Sequence, residues 1–241
     1  MYASDRDVLQ GTVRTSMRTV TTAAPLRSAG LGRLGTELVP SPLSERMQRH
    51  PDAERAFLAA RRRFLADLRI DMSALAAELG VDRTSPFRWV GNRDALLAEV
   101  LWSLAAPTLD QSDTAVTERG ADRVAGVLTR FVAALIDAEA FRGFLHREPA
   151  RALRITTTRS SPVQRRFVAV TETLLGEELA AGRMRTPLPA HDLAYLLVRV
   201  AESFTYADLI AGEPPSADRA AAAFALVLQS TRIPHHDTTH E

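Results

Sequence analysis

The chain has 241 residues, 30 basic and 29 acidic, with 46% apolar and 6% aromatic side chains. All 30 cations are arginine and cysteine is absent, which excludes disulfides, thiolate metal sites and a cysteine nucleophile. The longest apolar run, Ala220 to Leu228, covers nine residues, where a membrane-spanning helix needs about 20.

Arg14, Arg18 and Arg27 interrupt any apolar signal region near the N-terminus. The expectation is a soluble, cytoplasmic protein that does not engage a membrane. A net charge of +1 is not that of a polycation, and GC-rich codon usage accounts for the lack of lysine. Contact with nucleic acid therefore depends on where the arginines sit.

Residues 1–48 read as a basic, disordered N-terminal arm. They are rich in Ser, Thr, Gly and Arg and carry no sustained apolar period. Gly30 to Gly35 matches GxGxxG, but no strand precedes it and Pro40 and Pro42 stop a helix soon after. An arm touching DNA backbone and inert disorder are the remaining readings.

From Pro51 the pattern changes. Asp52 and Glu54 suit a helix N-terminus, and Phe57, Phe64, Leu65 and Leu68 recur at helical spacing, predicting an amphipathic helix to about Leu68. Arg61, Arg62 and Arg63 read as its solvated face. Asp71 or Ser73 caps a second helix with a Leu75, Ala76, Leu79 stripe, which Gly80 ends. Asp82 is expected to cap a two-turn helix from Arg83 to Trp89. Asn92 caps a fourth, from Arg93 to about Leu104. Two short helices separated by a glycine turn and braced by longer ones have the layout of a helix-turn-helix DNA reader over residues 49–104.

A helical domain is expected over 105–232, with Pro107 to Asp113 at its head read as a linker. Its predicted helices are Val124–Leu135, then Phe141–Leu145 bounded by Pro149. Ser161-Pro162 opens one to about Ala180, another runs from about His191 to Ile210, and Ser216 caps the last. Residues 233–241 read as a disordered tail, and His235, His236 and His240 there as unstructured surface rather than metal ligands. No strand alternation competes, so the fold class is all-α. With no HExxH, GxSxG or Walker motif, the expectation is no enzyme activity, no cofactor and no metal.

The stretch Leu75 to Leu97 resembles the DNA-binding segment of TetR-family regulators. The matching elements are Leu75-Ala76, Gly80-Val81, Phe87 with Trp89, and Arg93 with Leu96. More narrowly, Arg69 to Met72, Arg88 to Gly91 and Glu99 to Trp102 are similar to the QsdR-type branch, which regulates quorum-sensing lactone degradation. The resemblance implies a three-helix reader joined by a long fourth helix to a ligand-binding and dimerisation domain. It also implies that the last two long helices pair with their twofold mates in a four-helix bundle.

The expected DNA-binding residues are Ser73, Arg83, Thr84, Ser85, Phe87, Arg88, Trp89 and Arg93. Arg83, Thr84 and Ser85 would face base edges, Arg88 a base or a phosphate, and Arg93, by the family match, a phosphate. The family usually has tyrosine where this chain has Phe87, so Phe87 is expected mainly to pack and Trp89 to donate. Pro86 would crowd a helix capped at Asp82, and suits one capped at Arg83 or Thr84.

The aromatic residues Trp102, Phe131, Phe141, Phe144, Phe167, Tyr195, Phe204 and Tyr206, with Thr171 and His146 as polar anchors, form the expected effector pocket. Ordinary core is the competing reading for each. The function expected is a homodimeric repressor bound to a palindromic double-stranded DNA operator and released by a small, lactone-like effector. The alternative is a ligand-independent architectural DNA-binding protein.

Overall fold

A computed structural model describes residues 39–231, and the described residues form twelve helices and no strand. The expected all-α class holds. The GxGxxG segment, most of the N-terminal arm and the histidine tail lie outside the described residues.

The chain enters through α1 (Pro42–Arg49), which the sequence reading had placed in the arm. Its start is a reciprocal cap: the Ser41 hydroxyl accepts from the Ser44 N–H at 3.0 Å while the Ser44 hydroxyl accepts from the Ser41 N–H at 2.8 Å. Pro42 occupies the first turn and Leu43 is buried. Then come α2 (Pro51–Leu65), α3 (Met72–Leu79) and α4 (Ser85–Val90).

α5 runs from Arg93 to Thr114, straight through Pro107, so the expected linker does not exist. An interior proline costs about 3 kcal/mol by removing a hydrogen bond and crowding a carbonyl. Here Ala105 and Leu109 on either side of it are buried. Burying one large apolar side chain returns about 1.5–3 kcal/mol, and tertiary packing prevails. The helix is apolar on several faces because it serves two cores. Leu96, Leu97 and Val100 join Phe57, Phe64 and Leu75 of the reader. Trp102, Ala105 and Leu109 join the second core.

That second core is built from α6 (Ala121–Asp137), α9 (Pro162–Ala180), α10 (Ala190–Thr205) and α12 (Ala217–Leu228). The expected caps are present: Ser161 accepts from the Val163 N–H and Ser216 from the Arg219 N–H, both at 3.2 Å. α10 stops at Thr205, and Ala207–Ile210 forms a separate short turn, α11. Between α6 and α9 lie α7 (Glu139–Arg147) and α8 (Pro149–Thr157), the latter unforeseen because Pro149 begins a helix as well as ending one. Phe141, Phe144, Leu145 and Ile155 of this pair pack into the reader's core.

At the end of the second core away from the reader, Arg123 bonds Asp113 at 2.9 Å, Glu177 at 2.8 Å and Glu178 at 2.6 Å. Gly120 sits at φ +62°, and a Cβ there would meet the Arg183 carbonyl at 2.7 Å. Its N–H donates to Glu178 at 2.7 Å. Burial opposes ionisation of Glu178, but hydrogen bonds from Arg183, Arg123 and Gly120 outweigh it and hold the carboxyl down at about 2. A carboxyl depressed below its ordinary value stabilises the fold above about pH 4.5 and loses that contribution as the pH falls towards about 2. Urea unfolding between about pH 5 and about pH 2 should therefore show a shallower loss of stability for Glu178→Gln than for the parent. Equal slopes would remove Glu178 from the acid response.

Candidate functional site

The reader is shaped by three local devices. Asp71 caps α3, its Oδ1 accepting from the Ser73 and Ala74 N–H groups at 3.0 and 2.9 Å. The Ala74 bond is the main cause of its lowered carboxyl pKa. Gly80, at φ +67°, ends α3, with the Gly80 and Val81 N–H groups donating to Ala77 and Ala76 at 3.2 and 3.0 Å. Asp82 then closes a turn of its own. Its Oδ1 accepts from the Thr84 N–H at 2.8 Å and the Thr84 hydroxyl at 2.5 Å.

α4 begins only after that turn, with Thr84 in the cap position rather than Asp82. Pro86 accordingly falls in the first turn, where its missing N–H costs nothing.

Arg83, Thr84, Phe87 and Arg88 are exposed, Ser73, Ser85 and Trp89 half-buried, and Pro86 and Val90 buried. Arg83 and Arg88 form no ion pair among the described residues. The expected roles of the two aromatics are exchanged. Phe87 is 46% exposed on the outward face, whereas Trp89 packs against the reader's core. In a six-residue helix between Gly80 and Gly91, the anchored positions are Pro86, Val90 and the half-buried side between them.

Arg93 also departs from expectation. Its guanidinium turns away from α4, donating to the Ile70 carbonyl and, with both terminal nitrogens, to Glu148 at the start of α8. Its side chain is 13% exposed. A charge-assisted, two-bond pair of this kind outcompetes solvent, so Arg93 belongs to the joint between the reader and the following helices, not to its outer face.

The same joint holds Asp94 against Arg151 at 3.4 Å and against Arg154, and Asp67 against Arg147. Its deepest member is Glu99 of α5. That carboxylate meets Arg166 of α9 at 3.0 Å and accepts from the Ser41 hydroxyl at 2.6 Å, while Arg166 Nε donates to the Val39 carbonyl at 2.8 Å. From α1, Arg46 donates to the Trp89 and Arg88 carbonyls at 3.2 and 3.4 Å, holding the C-terminal end of α4. The sequence reading missed Arg46, although Ser41-Pro42 is the same cap-and-proline signal that located α9 at Ser161-Pro162.

Of the expected pocket residues, Phe131, Phe167, Thr171 and Tyr206 come together around a cavity of only about 30 Å³. That is room for a water molecule and not for an acyl chain. The Thr171 hydroxyl is already engaged with the Phe167 carbonyl at 2.8 Å. Glu202, overlooked in the sequence, lines the cavity. Burial pushes its carboxyl up to about 8, offset only in part by Arg199 at 3.0 Å. Burial also raises the Tyr206 phenol.

The other expected pocket residues lie elsewhere. Trp102 stacks edge-on against Phe167 at 5.5 Å without lining the cavity, and Phe141 packs on Tyr206 at 6.3 Å. Phe144 meets Phe64 in the reader's core at 5.8 Å. His146 is at the surface beside Asp208 at 2.9 Å. Tyr195 is 48% exposed beneath Arg199, and Phe204 sits under Arg219.

Residues 119–229 match the family model described as the tetracyclin repressor-like C-terminal domain. The transcriptional repressor QsdR of R. erythropolis, from the TetR family, is 30% identical in sequence. The match covers 78% of this chain and all of that one, at a TM-score of 0.69. The chain belongs to the TetR family of transcriptional regulators.

Two further solved structures align less well. A candidate transcriptional regulator of Streptomyces coelicolor A3(2) has 16% identity, covers 72% of this chain and 96% of its own, and has a TM-score of 0.45. A candidate TetR-family regulator of Mesorhizobium loti MAFF303099 has 15% identity, 80% and 100% coverage, and a TM-score of 0.46. No curated protein matches the sequence. Membership makes the chain a regulator with a DNA-binding fold and not an enzyme. Regulators of this family bind DNA and small-molecule effectors and form dimers. No described helix is long and apolar enough to cross a membrane.

The exchanged aromatics give this TetR regulator a direct stability test. Phe87→Ala should change unfolding free energy by no more than about 0.5 kcal/mol, whereas Trp89→Ala should cost about 2 kcal/mol or more. Denaturant titration checks both, and equal costs would contradict the assigned orientation.

Proposed function

We propose that this regulator is a homodimeric repressor whose α4 reads an operator half-site in the major groove and which a small amphiphilic effector, lactone-like in chemistry, releases from DNA. The observation that carries the reading is the exposed surface at α4, where Arg83 and Thr84 in the turn before the helix and Phe87 and Arg88 on it stand open, with neither arginine in an ion pair among the described residues. Guanidinium groups in this setting suit guanine edges and phosphates. Arg83, Thr84 and Ser85 are assigned to base edges, Arg88 to phosphate, and Ser73 of α3 to the backbone. The similarity to a protein described as a repressor supports the sign of regulation.

Dimerisation through α10 and α12 is supported by large apolar side chains left open on them: Leu196 at 40% and Leu226 at 72% exposure. Twofold pairing matches a palindromic operator. The protein would act in the cytoplasm, where its operator is.

The small size of the core cavity, about 30 Å³, supports a population shift. An effector that needs several hundred cubic ångströms binds only a conformer in which the helices around Phe131 and Phe167 have separated. Such an effector therefore draws the dimer away from the closed, DNA-binding state.

Selection of bound DNA from a random pool should return a palindrome, and acyl lactones should then release it. Binding to all sequences alike, with no release, would favour an architectural protein. On the selected site, Arg83→Ala should cost about 1–3 kcal/mol and relax preference at one base position. Arg88→Ala should lower the salt slope by about one phosphate contact, and Arg93→Ala should leave it unchanged. A fall in slope on losing Arg93 would return it to the DNA-contacting set.

A further inference from the structure

A second cavity, of about 500 Å³, opens where α1, the α4–α5 turn, α8 and the start of α9 meet. It is separate from the aromatic cavity of the second core, and its size is in the range of small-molecule sites. Its walls combine an apolar floor with an unbalanced set of charges. Leu43, Ala98 and Ile155, all buried, supply the floor.

Two carboxylates reach the cleft, and both are already neutralised. Asp94 is held by Arg151 and Arg154, and Glu99 by Arg166 with a further hydrogen bond from Ser41. Two guanidinium groups remain uncompensated. Arg165, on the first turns of α9, is exposed, and its guanidinium has no hydrogen bond or ion pair among the described residues. Arg46 is half-buried, and among the described residues its guanidinium bonds only the carbonyls of Arg88 and Trp89, at 3.4 and 3.2 Å.

We propose that this cleft binds a small amphiphilic carboxylate, with its apolar body on the Leu43–Ala98–Ile155 floor and its head group between Arg165 and Arg46. A carboxylate makes a stronger, charge-assisted bond to a guanidinium than a neutral carbonyl does. The bound anion therefore competes for Arg46, and the C-terminal end of α4 loses its tether to α1. The cleft is thus a second effector site, placed against the reader itself rather than in the aromatic core. The binding claim is independent of the DNA reading. Its consequence for transcription rests on α4 being the DNA-contacting helix.

The test is calorimetric titration of the full chain, without DNA, using sodium decanoate and, as the neutral counterpart, decanol. Decanoate is expected to bind, and decanol to bind at least about tenfold more weakly. Arg165→Gln should weaken decanoate by about tenfold while leaving the melting temperature of the free protein unchanged, since Arg165 has no partner to lose. Ala201 of α10 also lines the small core cavity, and Ala201→Val, which fills it, should leave decanoate binding intact.

The proposal is overturned if decanoate fails to bind at millimolar concentration, if Arg165→Gln binds it as the parent does, or if Ala201→Val abolishes binding and so places the anion in the core. Amide hydrogen exchange reads the second half of the claim. Saturating decanoate should speed exchange in α4 and leave α3 unaffected, and unchanged α4 exchange would rule out competition for Arg46. Because none of these measurements uses DNA, they stay informative even if no operator is found.

Discussion

The contact on which the rest of the molecule depends is the buried pair between Glu99 and Arg166, whose side chains are 5% and 3% exposed. Desolvating two charges costs several kcal/mol each, so such a pair is tolerated only where further hydrogen bonds complete it. Ser41 and the Val39 carbonyl complete this one. The arrangement therefore ties three chain segments together: the entry to α1, the middle of α5 and the start of α9. α5 cannot rotate against α9 without leaving a charge uncompensated in the interior. A regulator that must move its reader relative to its second domain is thus expected to pivot around this point rather than through it.

Much of the architecture is legible in the sequence because caps and prolines are short-range signals. Ser161-Pro162, Ser216, Asn92 and the Gly80 turn each mark an end that the structure reproduces. The errors share one physical origin. Pro107 and Pro149 look like breaks, yet one sits inside a helix and the other starts one. A proline's local cost is visible in the sequence, while the burial that outweighs it depends on residues far away. α1 is a different kind of miss: Ser41-Pro42 carries a cap-and-proline signal, but it lies in a segment whose overall composition resembles a disordered arm.

The site was legible in residue type more than in direction. Arg83 and Thr84 stand exposed in the turn that leads into α4, as the Gly80-Val81-Asp82 signal implies. Whether Phe87 or Trp89 faces inward depends on where α4 begins, and one residue of helix shifts a side chain by about 100°. Arg93 could not be placed from local sequence at all, because its partner Glu148 lies 55 residues away. The aromatic residues were divided between two cores and the surface for a similar reason. Composition cannot say which of two adjacent hydrophobic clusters a given helix will feed.

The lack of lysine acquires a meaning in the joint that it lacked as a count. Asp67, Asp94, Glu99 and Glu148 are all matched to arginine. Guanidinium groups stay protonated up to a pH of about 12 or beyond. Acylating enzymes, which neutralise amines, find nothing to modify in this joint, and alkaline conditions cannot discharge its cations. The joint between the two halves is therefore closed to the lysine modifications that retune many other proteins.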